Sequence, residues 1–141
     1  MFKKILVGYD GSKGGKAALA CALAMAKGSN TRLTALWIRE PLPRYTDLPG
    51  EAEDAAETAD DYFEARRHEV AAAAALHEIE VVCETRRGHP AKAIVQYADE
   101  GGYDLIVVGH SDHSGLWGRL LGDTADRIGD HAHCSVLIVK Q

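Results

Sequence analysis

Cysteine is scarce and poorly placed for cross-linking: Cys21, Cys83 and Cys134 are odd in number, far apart and never in a CxxC spacing. This excludes a disulfide framework and a cysteine-based zinc site, and the three read as reduced, small core residues. Long hydrophobic runs are missing too. The longest, Ala17 to Ala26, is mostly alanine and lies between Lys16 and Lys27, far short of the roughly 18–20 residues that span a bilayer. After Lys3-Lys4 only Ile5-Leu6-Val7 is apolar before Gly8 and Asp10 intervene. No signal peptide is read there, and a cytoplasmic protein without membrane partners is expected. Positive charge is in deficit, 16 Lys and Arg against 21 Asp and Glu for a formal charge of −5. Nucleic acid therefore finds no general electrostatic attraction. Ser, His and Asp are plentiful, but no GxSxG elbow is present, which excludes hydrolase chemistry of that kind. What remains is 141 residues, 46% hydrophobic and 26% charged, a length and balance that suit a single domain over residues 1–141.

Strand-length apolar runs alternate with helical patterns, the signal for a parallel α/β sheet. Five strands are read, at Lys4–Tyr9, Arg32–Ile38, Ile79–Glu84, Asp104–Gly109 and Ser135–Lys140. The first, fourth and fifth are nearly continuous apolar runs, as expected when helices cover both faces of a sheet. The first helix is expected from about Lys13 to Lys27, with Ser12 as N-cap and Gly28 just past its end. The second runs from about Glu51 to His77 and carries the apolar stripe Phe63, Val70, Ala74; its first half, from Asp47 to Glu64, holds eight acids and no base. That run reads as a solvated face whose charge suits a helix N-terminus. The third begins at Pro90, buries Ala91, Ile94, Val95 and Ala98, and ends at Gly101-Gly102. The fourth is expected from about Thr124 to His131, with Leu121, Ala125, Ile128 and Ala132 on one side.

With right-handed crossovers this chain winds helices onto both faces of a sheet. In the order 3-2-1-4-5 the winding reverses between the first and fourth strands, and open α/β sheets bind ligands at that reversal, beyond the carboxyl ends of the strands. The loops from Gly8 to Gly14 and from Gly109 to Gly122 then matter most. The second contains glycines at 109, 115, 118 and 122 and serines at 111 and 114. Such residues let backbone N–H groups approach an anion, next to the positive end of the following helix.

Four segments, Lys3 to Ser12 (KKILVGYDGS), the Gly88-His89-Pro90 turn, Asp104 to Gly109 (DLIVVG) and Cys134 to Lys140 (CSVLIVK), together resemble the universal stress protein family over nearly the whole chain. The resemblance implies a doubly wound five-stranded parallel sheet of the adenine nucleotide alpha hydrolase-like kind. It also implies a role in survival or signalling under stress, usually as a homodimer, which the apolar last strand, residues 135–140, is expected to form by covering its own edge. Many members of the family bind ATP, often with Mg²⁺ or Mn²⁺, through the pattern G-x2-G-x9-G-[S/T] after the fourth strand. The resemblance accordingly implies a nucleotide site at Gly8, Tyr9 and Asp10, at Trp37 and Ile38, and at Val108, Gly109, Ser111, Asp112, Gly115, Gly122, Asp123 and Thr124. Within it Asp10 would lie near the ribose and adenine, and the backbone of Trp37 and Ile38 would line the adenine pocket. The Trp37 ring is large for that place; it stacks on the base, fills the base's place, or simply packs.

The match to the pattern is mixed. Gly109 and Gly122 fit the first and last glycines without a gap, but Asp112 stands at the second glycine and Asp123 at the Ser/Thr. Both substitutions put a carboxylate where phosphate oxygens would lie. Like charges at ~4 Å repel by about 1 kcal/mol in water and about 4 kcal/mol at an effective dielectric of 20. Arg119, Arg127 and Lys140 are outnumbered by Asp112, Asp123, Asp126 and Asp130, so no local positive excess compensates. Against this, Asp123 is a good N-cap for the fourth helix, Thr124 offers a hydroxyl, and an Asp oxygen at 112 or 123 suits a Mg²⁺ that bridges to phosphate. His110 with His113, and His131 with His133, form two short pairs without a cysteine at ligand spacing, which favours surface or hydrogen-bonding roles over a metal site. The leading reading is a small dimeric binding or signalling module with an adenine-nucleotide site kept in outline and weakened at the phosphates. The alternative is a family member that binds no nucleotide and works through protein contacts alone. Enzyme activity is expected to be at most slow ATP hydrolysis, because no general base stands beside the phosphates.

Overall fold

The computed structural model describes residues 1–40, 50–110 and 116–140, with the backbone alone at 51–53, 55 and 116–123. Nine elements alternate along the chain: β1 (Lys4–Gly8), α1 (Lys13–Ala26), β2 (Arg32–Arg39), α2 (Glu51–Leu76), β3 (Val81–Arg87), α3 (Pro90–Gly101), β4 (Leu105–Gly109), α4 (Leu116–His131) and β5 (Ser135–Val139). The strands form one parallel sheet in the order β3-β2-β1-β4-β5, the order expected from the sequence. β1 lies between β2 and β4, with Val7 opposite both Ala35 and Val107.

Two-residue alternation splits the sheet's side chains between two cores. Ile5 and Val7 of β1, Tyr9 just beyond it, and Leu105 and Val107 of β4 meet α1 (Ala18, Leu19, Ala22, Leu23) and α2 (Val70, Ala74) on one face. Leu6, Leu36, Ile38, Ile106 and Val108 meet Ile94 and Ala98 of α3 and Ala125 and Ile128 of α4 on the other. Helices therefore cover both faces, and the near-continuous apolar strands follow from that.

The helix ends show how local sequence sets the boundaries. Ser12 caps α1 by accepting from the Gly15 amide, while Gly28 beyond its end has φ +76°. Pro90 opens α3, and Gly102 closes it in the left-handed conformation. α2 ends less conventionally. The Ile79 amide reaches back to the Ala74 carbonyl and the Glu78 amide to Ala75, a Schellman arrangement that puts Glu78 at φ +55°. Because Ile79 is used in this turn, β3 starts at Val81 rather than Ile79. It also continues to Arg87, beyond the expected end at Glu84, since Ile38 and Arg39 of β2 pair with Arg86 and Arg87.

The fourth helix departs most from expectation. It begins at Leu116, not Thr124, so Gly122 and Asp123 lie inside α4 and the N-cap role read for Asp123 does not arise. The apolar period Leu116, Leu120, Leu121, Ala125, Ile128 runs upstream without a break. It outweighs the cost of about 1 kcal/mol apiece for Gly118 and Gly122 in a helix interior.

At the amino-terminal ends of the strands, the Asp104 carboxylate accepts hydrogen bonds from the Lys3 amide at 2.8 Å and the Lys4 amide at 3.0 Å, tying the start of β1 to β4. Burial alone would raise its pKa, but the bonds from those amides outweigh it and hold the carboxyl below the usual carboxylate value. A carboxyl lowered in the folded state contributes fully above its unfolded value, near 4, and loses that contribution as pH falls through the lowered value. Asp104→Asn is expected to lower stability by about 1 kcal/mol at neutral pH, with the gap closing below pH ~4. Urea unfolding of both proteins from pH 7 to pH 3 checks this, and a gap that does not change with pH would remove the role of the charge.

Candidate functional site

The carboxyl ends of β1 and β4 lie side by side, and the first turn of α1 crosses directly above them. The approach is very close: a Cβ on Gly109 would stand 2.2 Å from the Gly14 carbonyl oxygen and 2.3 Å from its carbon. Only glycine fits at 109, and the reason is packing within the fold itself. His110 continues from there by donating its amide to the Val139 carbonyl at 2.9 Å.

The β1–α1 turn is built around Asp10. Its Oδ1 accepts from the Ser12 amide at 2.9 Å and from the Ser12 hydroxyl, while Ser12 Oγ caps α1. The turn is held from the other side by α2. Tyr62 donates its hydroxyl to the Asp10 carbonyl, and the Arg66 guanidinium stacks on the Tyr62 ring at 4.3 Å. Arg66 also pairs with Glu69 at 2.8 Å, and Glu69 accepts from the Tyr9 hydroxyl at 2.7 Å. Gly11, at φ +84°, passes under Arg66, whose Cδ would be 2.7 Å from a Cβ there. Burial, and then the bond to Glu69, push the Tyr9 phenol well above its ordinary pKa, so it remains a donor.

Trp37 completes this side. Its ring centroid lies 4.9 Å from that of Tyr62 and 6.2 Å from that of Phe63, the latter nearly parallel at 12°. The Trp37 carbonyl accepts from the Thr85 hydroxyl at 2.9 Å. Arg39, two residues on, binds Asp60 of α2 at 2.8 Å and the Ala56 carbonyl at 3.2 Å. The acidic half of α2 is thus not only a solvated face, since Asp60 anchors the helix to the end of β2.

The expected site residues divide across the sheet. Gly8 and Gly109 end β1 and β4, and Asp10 lies just beyond β1; Tyr9 and Trp37 turn toward α2; Ile38 and Val108 belong to the core under α3 and α4. Thr124 is buried and, with Pro90, Val95, Arg127 and His131, lines a groove of about 1050 Å³ between α3 and α4. Ser111, Asp112 and Gly115 lie outside the described residues, as does His113, and Gly122 and Asp123 are placed by the α4 backbone alone. His133 bonds Asp99 at 2.8 Å. Among the described residues no three His, Cys, Asp or Glu side chains come together as a metal site. Nor is any helix among them long and apolar enough to cross a membrane.

Sequence reasoning missed the contribution of α2. Tyr62, Arg66 and Glu69 fall at i, i+4, i+7, a polar stripe beside the apolar one. The Tyr62-Phe63 pair, in a helix otherwise rich in Ala and Glu, was the available signal.

The fold is a doubly wound α/β domain whose strand order reverses between β1 and β4, the place where open sheets of this kind bind ligands. The model of the Universal stress protein family matches residues 1–140. A universal stress protein of Thermus aquaticus is 34% identical over 140 residues, covering 99% of this chain and 100% of the relative. A solved universal stress protein from Lactobacillus plantarum superposes with a TM-score of 0.74 at 30% identity, covering 97% of each chain. Another, crystallised in complex with cAMP, gives a TM-score of 0.70 at 26% identity, with coverage of 98% of this chain and 97% of the other. The chain belongs to the universal stress protein family.

The contact between α1 and β4 predicts that Gly109→Ala will cost about 3 kcal/mol, because neither backbone has room to retreat. Gly129→Ala, in α4 with open space around it, should instead stabilise by up to about 1 kcal/mol. Urea midpoints measure both, and a Gly109→Ala midpoint equal to that of the parent protein would contradict the close approach.

Proposed function

We propose that this chain is a small homodimeric stress-response module that binds an adenine nucleotide at the crevice between β1 and β4, with the phosphate end weakened. The observation that carries the reading is the convergence of Asp10, the first turn of α1 and the end of β4 at the reversal of strand order. The cAMP-bound relative supports the same ligand class. In this reading Gly8, Tyr9 and Asp10 with Trp37 and Ile38 surround the nucleoside, and Val108, Gly109, Ser111, Asp112, Gly115, Gly122, Asp123 and Thr124 surround the phosphates. Asp112 and Asp123 set the weakness, because each carboxylate repels phosphate oxygens. A Mg²⁺ or Mn²⁺ held by either would relieve that repulsion, and no reaction step is derived through it. Dimerisation is assigned to β5, an apolar strand at the edge of the sheet.

A second reading, a module that binds no nucleotide and acts through protein contacts, is favoured by the contact of Trp37 with Tyr62 and by the engagement of the Asp10 carboxylate with Ser12. Native mass spectrometry of the freshly purified protein, then calorimetric titration with ATP and AMP with and without Mg²⁺, separates the two. Co-purified adenine nucleotide or micromolar binding is expected; a bare protein that ignores both ligands selects the second reading. The variant Asp112→Gly with Asp123→Ser should bind ATP at least tenfold more tightly, about 1.4 kcal/mol. Unchanged affinity would remove these carboxylates from the phosphate end. Light scattering at micromolar concentration tests the dimer, which a monomeric mass would overturn.

A further inference from the structure

The Tyr62 side chain contacts two groups, the Trp37 ring and the Asp10 carbonyl, that the nucleotide reading places beside the nucleoside. Its ring lies against the Trp37 ring with centroids 4.9 Å apart. A planar ring sandwiched between them would need about 7 Å, twice the carbon–carbon contact distance. Its hydroxyl donates to the Asp10 carbonyl, using the acceptor nearest the β1–α1 turn. Tyr62 is also the outermost member of the cluster. It is 38% exposed, whereas Trp37 and Phe63 are partly buried and Tyr9 is buried behind it. The neighbouring cation is a contact that Tyr62 gives up on leaving. Arg66 stacks on the ring, but its ion pair is with Glu69, one turn further along α2. An outward swing of Tyr62 breaks its contact with Arg66 but no bond of the Arg66–Glu69–Tyr9 chain; the Asp10 carbonyl loses its donor, and the Trp37 ring keeps Phe63 and, at 5.9 Å, the Arg39 guanidinium as neighbours.

We infer that Tyr62 is a displaceable stand-in for the ligand and sets the specificity of the nucleoside end, an inference that rests on the nucleotide reading above. The free protein is closed by its own tyrosine. A ligand enters only if it replaces both contacts, with a planar heteroaromatic ring for the Trp37 face and a hydroxyl or amino donor for the Asp10 carbonyl. A nucleoside carries both. A free phosphate or a sugar phosphate lacks the ring, and an apolar aromatic lacks the donor. Trp37 thereby acquires a definite role in which the base stacks on it once Tyr62 has left.

AMP is the probe, since it limits the contribution of the phosphate end. Calorimetric titration of the full chain, the Tyr62→Phe variant and the Trp37→Leu variant is paired with amide hydrogen exchange of the ligand-free proteins. Tyr62→Phe keeps the ring and removes only the competing donor. It should bind AMP roughly fivefold more tightly, the worth of one net hydrogen bond, and exchange the Ser12 and Gly15 amides faster because Asp10 has lost its anchor. Trp37→Leu should bind roughly tenfold more weakly, as expected for a lost stacking partner. Equal or weaker AMP binding by Tyr62→Phe, with the parent protein still binding, overturns this inference and leaves the nucleotide reading standing. Unchanged exchange at Ser12 and Gly15 also overturns it, by removing the hold on Asp10. Failure of every protein to bind AMP, with faster exchange in Tyr62→Phe, overturns the nucleotide reading and this inference together.

Discussion

Three consecutive residues, Ile5, Leu6 and Val7, are each at most 1% exposed although they point alternately to opposite faces of the sheet. A strand buried on both sides needs cover on both sides, and the rest of the architecture satisfies that demand. Burial of each such side chain is worth about 1.5–3 kcal/mol. The stabilisation is lost on one face if the helices gather on the other. α1 and α2 are thereby committed to one layer and α3 and α4 to the other, and the chain must change direction next to β1. That change falls between β1 and β4, whose carboxyl ends lie side by side beneath the first turn of α1.

This logic explains why the fold was largely legible in the sequence and why some boundaries were not. Apolar runs, Ser12, Gly28, Pro90 and Gly102 act over a few residues, and each performs in the structure the role its chemistry suggests. The errors arise where a longer-range effect wins. Glu78 takes a left-handed turn normally given to glycine because the Schellman bonds and the packing of Ile79 hold it there, which moves the start of β3. Arg86 and Arg87 join the sheet despite their charge because β2 continues alongside them. In α4 the continuous apolar period carries the helix through two glycines that look like breakers.

The strand ends were legible where the strands themselves set them. Gly8 and Gly109 end β1 and β4 as their apolar runs suggest, whereas the ligand roles read for Gly8, Asp10 and Gly109 come from the family resemblance and belong to the proposal. Tyr62, Arg66 and Glu69 reach the same place from a helix that follows a long connection, and no local pattern says which residue of α2 will meet which strand end. Their polar chain runs from the Asp10 carbonyl through a stacked guanidinium to the Tyr9 phenol. Its two ends, Tyr62 to the Asp10 carbonyl and Glu69 to the Tyr9 phenol, cross between elements distant in sequence, while the Tyr62–Arg66 and Arg66–Glu69 links lie within α2. Contacts of this kind are fixed by the docking angle of the helix, which depends on the whole apolar face from Phe63 to Ala74.

The crowding at Gly109 bears on how sequence patterns in such domains are interpreted. A motif is informative about a ligand only at positions that would be free to vary without it. Position 109 is not free, because the carbonyl of Gly14 already forbids any side chain there. A chain with this fold would keep that glycine through generations in which it never met a nucleotide. The diagnostic weight of the pattern therefore shifts to its later members, and it is there, at Asp112 and Asp123, that this chain departs from it.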